Sequence, residues 1–238
     1  MSYQFLNFVS LPSTSDYIKK NYLSLPSKTV VATQNQTLGH GRLGRSWSGG
    51  LDSATFSLLL KGEEYASSLP LLPMAAGEAV GLALEKHGVK PMLKWPNDVY
   101  LDGKKVAGIL LEGLYEGNEF LGLVIGIGIN LNNKEFPPEL ENATSLYLCT
   151  RRIVETGSVV KEVLEALEPR LTCPEESLDY FSSHDFLLGK EIRLNYYGEN
   201  LTGIARGIDK QGRLLLENKG AIQTISSGEA TLHPKNKK

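Results

Sequence analysis

The stretch GHGRLGRSW, which begins at Gly39, combines glycine and arginine in a pattern that suits phosphate binding. Gly39, Gly41 and Gly44 fit the dinucleotide pattern G-x-G-x-x-G, and the stretch also nearly fits the phosphate-loop pattern G-x-x-x-x-G-K-[ST], with Arg45 in place of lysine. In both patterns glycine lets the backbone turn tightly and bring its N–H groups against phosphate oxygens. Arg42 adds a second guanidinium, and such groups bind phosphate or carboxylate at two points.

The sequence after this loop argues against both nucleotide patterns. Each pattern needs a helix directly after the glycines, because the helix N-terminus adds its dipole to the phosphate site. Here Gly49 and Gly50 would break a helix, and the next element is the strand-like run ATFSLLL. Glu63 and Glu64 lie about 20 residues beyond the last glycine, where the dinucleotide pattern has an acid, but no helix precedes them. An anion-binding loop and a solvated glycine-rich surface loop both stay open as interpretations.

A second stretch with unusual chemistry is KWPNDVYLDGKKVAGILLEG at 94–113. Asn97 and Asp98 stand at a strand start, where Asp98 could hold Mg²⁺ beside phosphate oxygens. Lys104 is expected in solvent, since most lysines are exposed. Lys105 begins the β-run KVAGILLEG and is expected to point inward. A hairpin with solvated lysines is the alternative interpretation.

The elements that must position these residues follow from residue pattern. YQFLNFV, KTVVATQ and ATFSLLL predict strands, and the cluster Pro12 to Asp16 predicts a helix start. Three further strand-like runs, joined by turns such as Asp102-Gly103, predict an antiparallel meander. Apolar spacing predicts two longer helices, one through Leu72, Ala76, Ala79, Val80, Ala83 and Leu84, and one over about 158–172 with Val160, Val163, Leu164, Leu167 and Leu171 as its stripe.

The residue pattern changes near 184–188, and short strands follow from Glu191 onward. This change predicts a first domain over 1–186 and a small C-terminal β-domain over 187–238, either a barrel or a sandwich. The chain has 238 residues, 41% of them hydrophobic and 22% charged, which is typical of a globular protein.

Charge and cysteine content narrow the class of protein. The net charge of −2 argues against a dedicated nucleic-acid binder, which is usually basic. The N-terminus lacks the features of a signal peptide, and no run of about 18 apolar residues is present, so we expect a cytoplasmic protein without membrane spans. Cys149 and Cys173 lack partners at zinc-type spacing and are expected to be reduced thiols.

Taken together, GHGRLGRSW, KWPND and KKVAGIL resemble the biotin protein ligases. That family typically has G-R-G-R-x-G-R-x-W, then K-W-P-N-D and K-x-x-G-I-L, and three motifs in this order are highly specific. The likeness extends along the chain, since STSD resembles the family's Ser-Thr pair before a helix and GIGIN its glycine-rich strand end. ARGIDKQGRLLLE resembles its small C-terminal β-domain.

The resemblance implies an α+β fold: a catalytic domain shared with class II aminoacyl-tRNA synthetases, with a mixed, largely antiparallel sheet, plus a small C-terminal β-barrel domain. It implies that biotin and ATP, with Mg²⁺, form biotinyl-5′-AMP, and that biotin then passes to a lysine of the biotin carboxyl carrier domain of acetyl-CoA carboxylase. It also implies no DNA partner, and it leaves the oligomeric state open, a homodimer included.

The resemblance also implies a set of site residues. Those for biotin are Ser13, Thr14, Ser15, Gln36, His40, Gly41, Arg42, Lys105 and Gly126. Those for ATP are Arg42, Arg45, Trp47, Lys94, Asn97 and Asn130. Arg42, Lys105 and Asp98 are implied for catalysis, and Asp98 is also the implied Mg²⁺ ligand.

One departure from the family pattern is His40, which stands where the loop often has arginine. This puts in doubt how firmly the loop holds the adenylate. Three glycines are costly to order, so we expect the 39–47 loop to be mobile until biotin binds.

Three rival functions fit the sequence less well than the ligase does. A lipoate-protein ligase shares the fold, but its pocket needs no polar groups for a ureido ring, and the K-W-P-N-D hairpin would be unexpected. A biotin-sensing repressor needs an N-terminal helix-turn-helix, and the Ser-Thr pair at Ser13 leaves no room before it. Intact Arg42, Arg45 and Lys105 argue against a catalytically dead binding module.

Overall fold

The computed structural model describes residues 3–47, 50–196 and 199–232. Gly49, which entered the argument against a helix after the glycine-rich loop, lies outside these ranges. The first part of the chain contains, in order, β1 (Gln4–Leu11), α1 (Thr14–Asn21), β2 (Thr29–Gln36), β3 (Ser53–Lys61), α2 (Leu72–Glu85), β4 (Met92–Lys94), β5 (Asp98–Leu101), β6 (Lys104–Glu116), β7 (Glu119–Asn130), α3 (Leu146–Thr150), α4 (Thr156–Leu167) and α5 (Ser177–Ser183).

The first seven strands form one sheet in the order β1-β2-β3-β7-β6-β5-β4. Strands β1 and β2 are parallel, and all other neighbours are antiparallel, so the predicted mixed, largely antiparallel sheet is confirmed. The meander is confirmed as well. Its turn at Asp102-Gly103 has φ of 49° and 78°, the two positive values that a tight hairpin turn requires.

The two faces of this sheet differ in chemistry because side chains alternate along each strand. On β3, Phe56 and Leu58 point to the face covered by α2 and α4, which holds the main apolar core. Thr55 and Ser57 point to the opposite face, where α1 packs through Ile18. The polar face of the central strands is therefore the one that α1 and the glycine-rich loop can reach.

The predicted apolar stripes of α2 and α4 are buried. The second of these helices differs from its predicted bounds: it begins at Thr156, and its α-helical part ends at Leu167. A 3-10 turn over Glu168–Leu171 continues it, because Pro169 lacks the N–H that an α-helix needs. The short helices α3 and α5 were not predicted, since five and seven residues show too little periodicity to detect.

The C-terminal part forms a second sheet of five antiparallel strands, β8 (Glu191–Tyr196), β9 (Glu199–Ile208), β10 (Leu214–Asn218), β11 (Ala221–Ile225) and β12 (Glu229–Leu232), in the order β11-β10-β9-β8-β12. It packs on the first part, where Trp95 Nε1 donates a hydrogen bond of 3.0 Å to the Gly212 carbonyl. Cys149 and Cys173 are free thiols. No helix of the described chain is long and apolar enough to cross a membrane.

Candidate active site

A cavity lies on the polar face of the central strands, between the glycine-rich loop, the β4–β5 turn and the C-terminal sheet, and encloses about 920 Å³ with its open mouth. Nearly every residue predicted for the site lines it. These residues are Ser13, Thr14, Ser15, Gln36, His40, Gly41, Arg42, Arg45, Trp47, Lys94, Asn97, Asp98, Lys105 and Gly126.

One end of the cavity is a network of buried hydroxyl and amide groups. Ser13 caps the start of α1, its Oγ accepting a hydrogen bond of 3.2 Å from the Asp16 N–H. The backbone N–H of Thr14 donates to Gln36 Oε1 at 2.9 Å, which fixes the amide at the end of β2. The Ser57 hydroxyl shares hydrogen bonds of 2.7 Å with Thr14 and 2.9 Å with Ser15. These groups offer both donors and acceptors to a polar ring.

Glycines line the floor of the cavity, where the side chains of Trp47 and Ser15 leave no space for a Cβ. Gly128 on β7 pairs with Gly108 on β6, and a Cβ added at Gly128 would lie 2.2 Å from Trp47 Cε2. At Gly126 an added Cβ would lie 2.9 Å from Ser15 Oγ. The alternation G-I-G in GIGIN thus clears space on this face while Ile127 packs in the core on the other.

The glycine-rich loop folds back on itself as a small hairpin. His40 pairs with Ser46 in an isolated bridge, and the Gly41 N–H donates to the Arg45 carbonyl at 2.8 Å. Arg42 to Gly44 form a 3-10 turn, and the next element in the described chain is β3. The prediction that neither nucleotide motif applies is therefore confirmed. Whether ligand orders this loop stays a prediction.

His40 lines the cavity, but its ring nitrogens face protein groups. Nε2 lies 3.6 Å from Asp16 Oδ1 on α1, and Nδ1 lies 3.4 Å from the Leu38 carbonyl. Asp16 also pairs with Lys19 at 2.7 Å, so His40 shares this carboxylate. The contact connects the loop to α1, and a contact between His40 and biotin stays a prediction.

The other end of the cavity holds a cluster of cations around one carboxylate. Lys105 Nζ lies 2.6 Å from Asp98 Oδ1, and Lys94 Nζ lies 4.0 Å from Asp98 Oδ2. Arg42 Nη1 donates to Asn97 Oδ1 at 3.4 Å, and Asn97 Nδ2 donates to the Ile109 carbonyl at 2.5 Å. Arg42, Lys94 and Lys105 outnumber the one carboxylate that they surround, so this end of the cavity is electropositive.

A β-bulge turns Lys105 toward this cluster. Val99 pairs with Ala107, but the next residue, Tyr100, pairs with Lys105, so β6 contains one extra residue at Val106. Because opposite residues share a face, Lys105 points to the face of Asp98 rather than to the core. The expectation that Lys105 points inward is confirmed, and Lys104 is exposed as predicted.

Burial shifts the pKa values of two of these cations. It lowers the pKa of the Lys94 ammonium, and Asp98 partly opposes this shift. It also lowers the pKa of the Arg42 guanidinium, with Asp98 and Glu229 acting in the opposite direction. Both groups are therefore partly desolvated, so an anion that binds to them displaces less water.

The C-terminal sheet contributes to the cavity wall through Glu229 and Ala230 at the start of β12. The Glu229 carboxylate pairs with the Arg45 guanidinium of the loop. Sequence reasoning missed Glu229, because its place at the site depends on how the two sheets pack and no local pattern marks it. It also missed Thr55 and Ser57, although the alternation in SATFSLLL carried a signal for them.

Asn130 is the predicted site residue that does not line the cavity. It is buried at the end of β7, where its Nδ2 donates a hydrogen bond of 3.1 Å to the Thr144 carbonyl. This contact ties β7 to the chain segment before α3. A direct contact with the nucleotide stays a prediction.

The described residues do not form a metal site of their own. Within them, no group of three or more His, Cys, Asp or Glu side chains lies close enough to hold a metal ion. Both oxygens of Asp98 already face ammonium groups. A Mg²⁺ ion at this position would therefore depend mainly on phosphate oxygens of a nucleotide.

Family models and a solved structure are similar to this chain over most of its length. The model of the Biotin/lipoate A/B protein ligase family matches residues 7–130, and that of the Biotin protein ligase C terminal domain matches residues 187–232. The solved biotin protein ligase from Aquifex aeolicus in complex with biotin and ATP is 32% identical, with a TM-score of 0.86 over 97% of this chain and 98% of that one.

Two sequence relatives extend the comparison. The bifunctional ligase/repressor BirA of Bacillus subtilis is 32% identical over 219 residues, which cover 87% of this chain and 67% of that protein. The biotin--[acetyl-CoA-carboxylase] ligase of Mycobacterium tuberculosis is 31% identical over 216 residues, which cover 84% of this chain and 77% of that protein. Family models, relatives and fold agree, and the chain belongs to the biotin protein ligase family.

Proposed function

We propose that this protein is an ATP-dependent biotin protein ligase. It activates biotin to biotinyl-5′-AMP and then transfers the biotinyl group to one lysine of a biotin carboxyl carrier domain. The observation that carries the proposal is one cavity with two chemically different ends, a hydroxyl and amide network at one and a cation cluster at the other. A substrate with a polar ring and a carboxylate tail fits between them.

The hydroxyl and amide end suits the ureido ring of biotin. That ring has a carbonyl acceptor and two N–H donors, so it needs both kinds of partner when it leaves water. Thr14, Ser15 and Gln36 supply them from α1 and β2, and Ser57 holds two of these hydroxyls in place. A site of this kind discriminates strongly against ligands that lack the polar ring, because its own buried groups would then be unpaired.

The cation end suits the first chemical step. The biotin carboxylate attacks the α-phosphorus of ATP, and the bond from that phosphorus to pyrophosphate breaks. No protein nucleophile is needed, and the main barrier is to bring two anions together. Arg42 and Lys105 stabilise the charge that develops on the phosphate oxygens, and Arg45 and Lys94 bind the nucleotide. A well-placed donor of this kind contributes about 3 to 4 kcal/mol in the transition state.

The second step needs a proton acceptor. The carrier lysine attacks the acyl carbon, the bond from that carbon to AMP breaks, and the amine loses a proton. We assign Asp98 to orient this amine or accept its proton, because it is the carboxylate between Lys105 and Lys94 at this end of the cavity. We assign no step to Mg²⁺, since the residues that the structure describes offer it no ligand set beyond Asp98.

Three further assignments belong to the same proposal. The carrier is the biotin carboxyl carrier domain of acetyl-CoA carboxylase, as the name of the Mycobacterium tuberculosis relative suggests. The protein acts in the cytoplasm without a DNA partner. The chain folds as a catalytic domain over 1–186 and a β-domain over 187–238, supported by the start of the second sheet at Glu191.

The first half-reaction provides the test. Exchange of labelled pyrophosphate into ATP should depend on biotin, and lipoate should not replace biotin. Exchange supported by lipoate alone would favour the lipoate-protein ligase that shares this family model. Biotin binding without any exchange would contradict the assignment as an enzyme.

A further inference from the structure

Lys94 is a buried cation whose nearest acid is already engaged. Its side chain is 11% exposed, and burial lowers the pKa of the ammonium. Asp98 lies 4.0 Å from Lys94 but only 2.6 Å from Lys105, so its stronger contact is with Lys105. Asp98 therefore leaves room for a second contact to position the Lys94 ammonium.

The ring of Tyr100 lies beside this ammonium. Lys94 Nζ is 5.4 Å from the ring centroid, within the distance at which an aromatic face attracts a cation. Tyr100 shares the face of Asp98, since the two are separated by one residue on β5. It is absent from the cavity lining, so it stands behind Lys94 rather than against a ligand.

Tyr100 is itself held by the segment that joins the two sheets. Its ring stacks on Phe186, with centroids 4.6 Å apart and planes 28° from parallel. The Phe186 N–H donates to the Leu93 carbonyl at 2.8 Å, which attaches this segment to the edge of β4. Lys190 Nζ lies 3.6 Å from the Phe186 ring centroid and completes a stack that runs from the cavity to the start of the second sheet.

This arrangement differs from ordinary core packing. Two stacked rings lie between two ammonium groups, and each contact joins an electron-rich face to a cation or to another ring. The attraction between ring and cation is strongest where water is excluded, as it is at Lys94. The ring therefore helps to hold the ammonium in position.

We propose that Tyr100 is a positioning residue for ATP, which holds the Lys94 ammonium at the nucleotide end of the cavity and is fixed by Phe186. The inference rests on the proposed function, because it assigns Lys94 to ATP phosphates. It predicts that the KM for ATP depends on the aromatic ring of Tyr100, whereas the KM for biotin does not.

The test compares Tyr100→Leu with Tyr100→Phe in biotin-dependent pyrophosphate exchange. Tyr100→Leu removes the ring and should raise the KM for ATP about tenfold, while the KM for biotin changes by less than about twofold. Tyr100→Phe retains the aromatic face and should keep the KM for ATP close to the wild-type value. Phe186→Leu keeps the backbone hydrogen bond and should give a smaller increase in the same direction.

Tyr115→Leu is the matched control, since Tyr115 pairs with Phe120 at 5.4 Å near the distant β6–β7 turn. It should leave both KM values unchanged. A wild-type KM for ATP in Tyr100→Leu overturns the inference. An equal rise in the KM values for ATP and biotin, together with a lowered Tm, also overturns it, because that result indicates a purely structural role. Absence of exchange in the wild-type protein refutes the proposed function instead, so the two failures are distinguishable.

Discussion

At the scale of single residues, the site depends on the β-bulge that one extra residue makes in β6. The bulge at Val106 brings Lys105 to the face of Asp98, where a regular ladder would have turned it to the core. The sequence KKVAGIL places a lysine near this hairpin, but it does not say which of Lys104 and Lys105 points inward. Lys105 was expected to point inward because it begins the β-run. The bulge at Val106 is the physical reason that it does so.

Asp98 is the residue whose assignment is easiest to test. In Asp98→Asn the side chain can neither accept a proton nor balance Lys105, so transfer of biotin from isolated biotinyl-5′-AMP should slow about 100-fold. Single-turnover transfer to an apo carrier domain measures this rate. Asp102→Asn is the control, because Asp102 is exposed in a turn at φ 49°, a conformation that asparagine tolerates. Transfer at the normal rate in Asp98→Asn would refute its role.

At the scale of elements, much of the fold could be predicted because the patterns were strong. Three strand-like runs and the Asp102-Gly103 turn predicted the meander, and regular apolar spacing predicted α2 and α4. The parallel pairing of β1 with β2 was not assigned, although the order β1, α1, β2 is the one by which a helix usually connects parallel strands. The short helices α3 and α5 were not predicted, because five and seven residues show too little periodicity.

The glycine floor gives an element-scale prediction. Gly128→Val places side-chain atoms where the Trp47 ring lies, since even a Cβ would lie 2.2 Å from that ring. The loop then cannot seat Trp47, and biotin-dependent adenylate formation should fall at least about tenfold. Fluorescence should report greater exposure of one tryptophan, because Trp95 stays buried. Gly50→Ala is the control, as nothing lies within 4 Å of its added Cβ.

Two results would show that Gly128 is not needed for the position of Trp47. One is a Gly128→Val variant with wild-type adenylate formation and unchanged fluorescence. The other is an equal loss of activity in Gly50→Ala, which would show that any substitution near the loop is harmful.

At the scale of the whole molecule, the site is completed by two sheets. The first supplies both ends of the cavity, and the second supplies Glu229 beside Arg45. Trp95 joins the sheets through its hydrogen bond to Gly212, and Phe186 joins them through its stack on Tyr100. Local motifs predicted most of the cavity residues from the first part of the chain, although not Thr55 and Ser57. They could not predict Glu229, since its position follows from the packing of the whole chain.

One cavity is expected both to activate biotin and to deliver it to a lysine. The most direct measurement is the intact mass of an apo biotin carboxyl carrier domain after incubation with the protein, biotin, ATP and Mg²⁺. We expect the mass of one biotinyl group on one lysine, and no addition when ATP or biotin is omitted. A carrier that stays unmodified in the complete mixture, with a carrier known to accept biotin, would contradict the account.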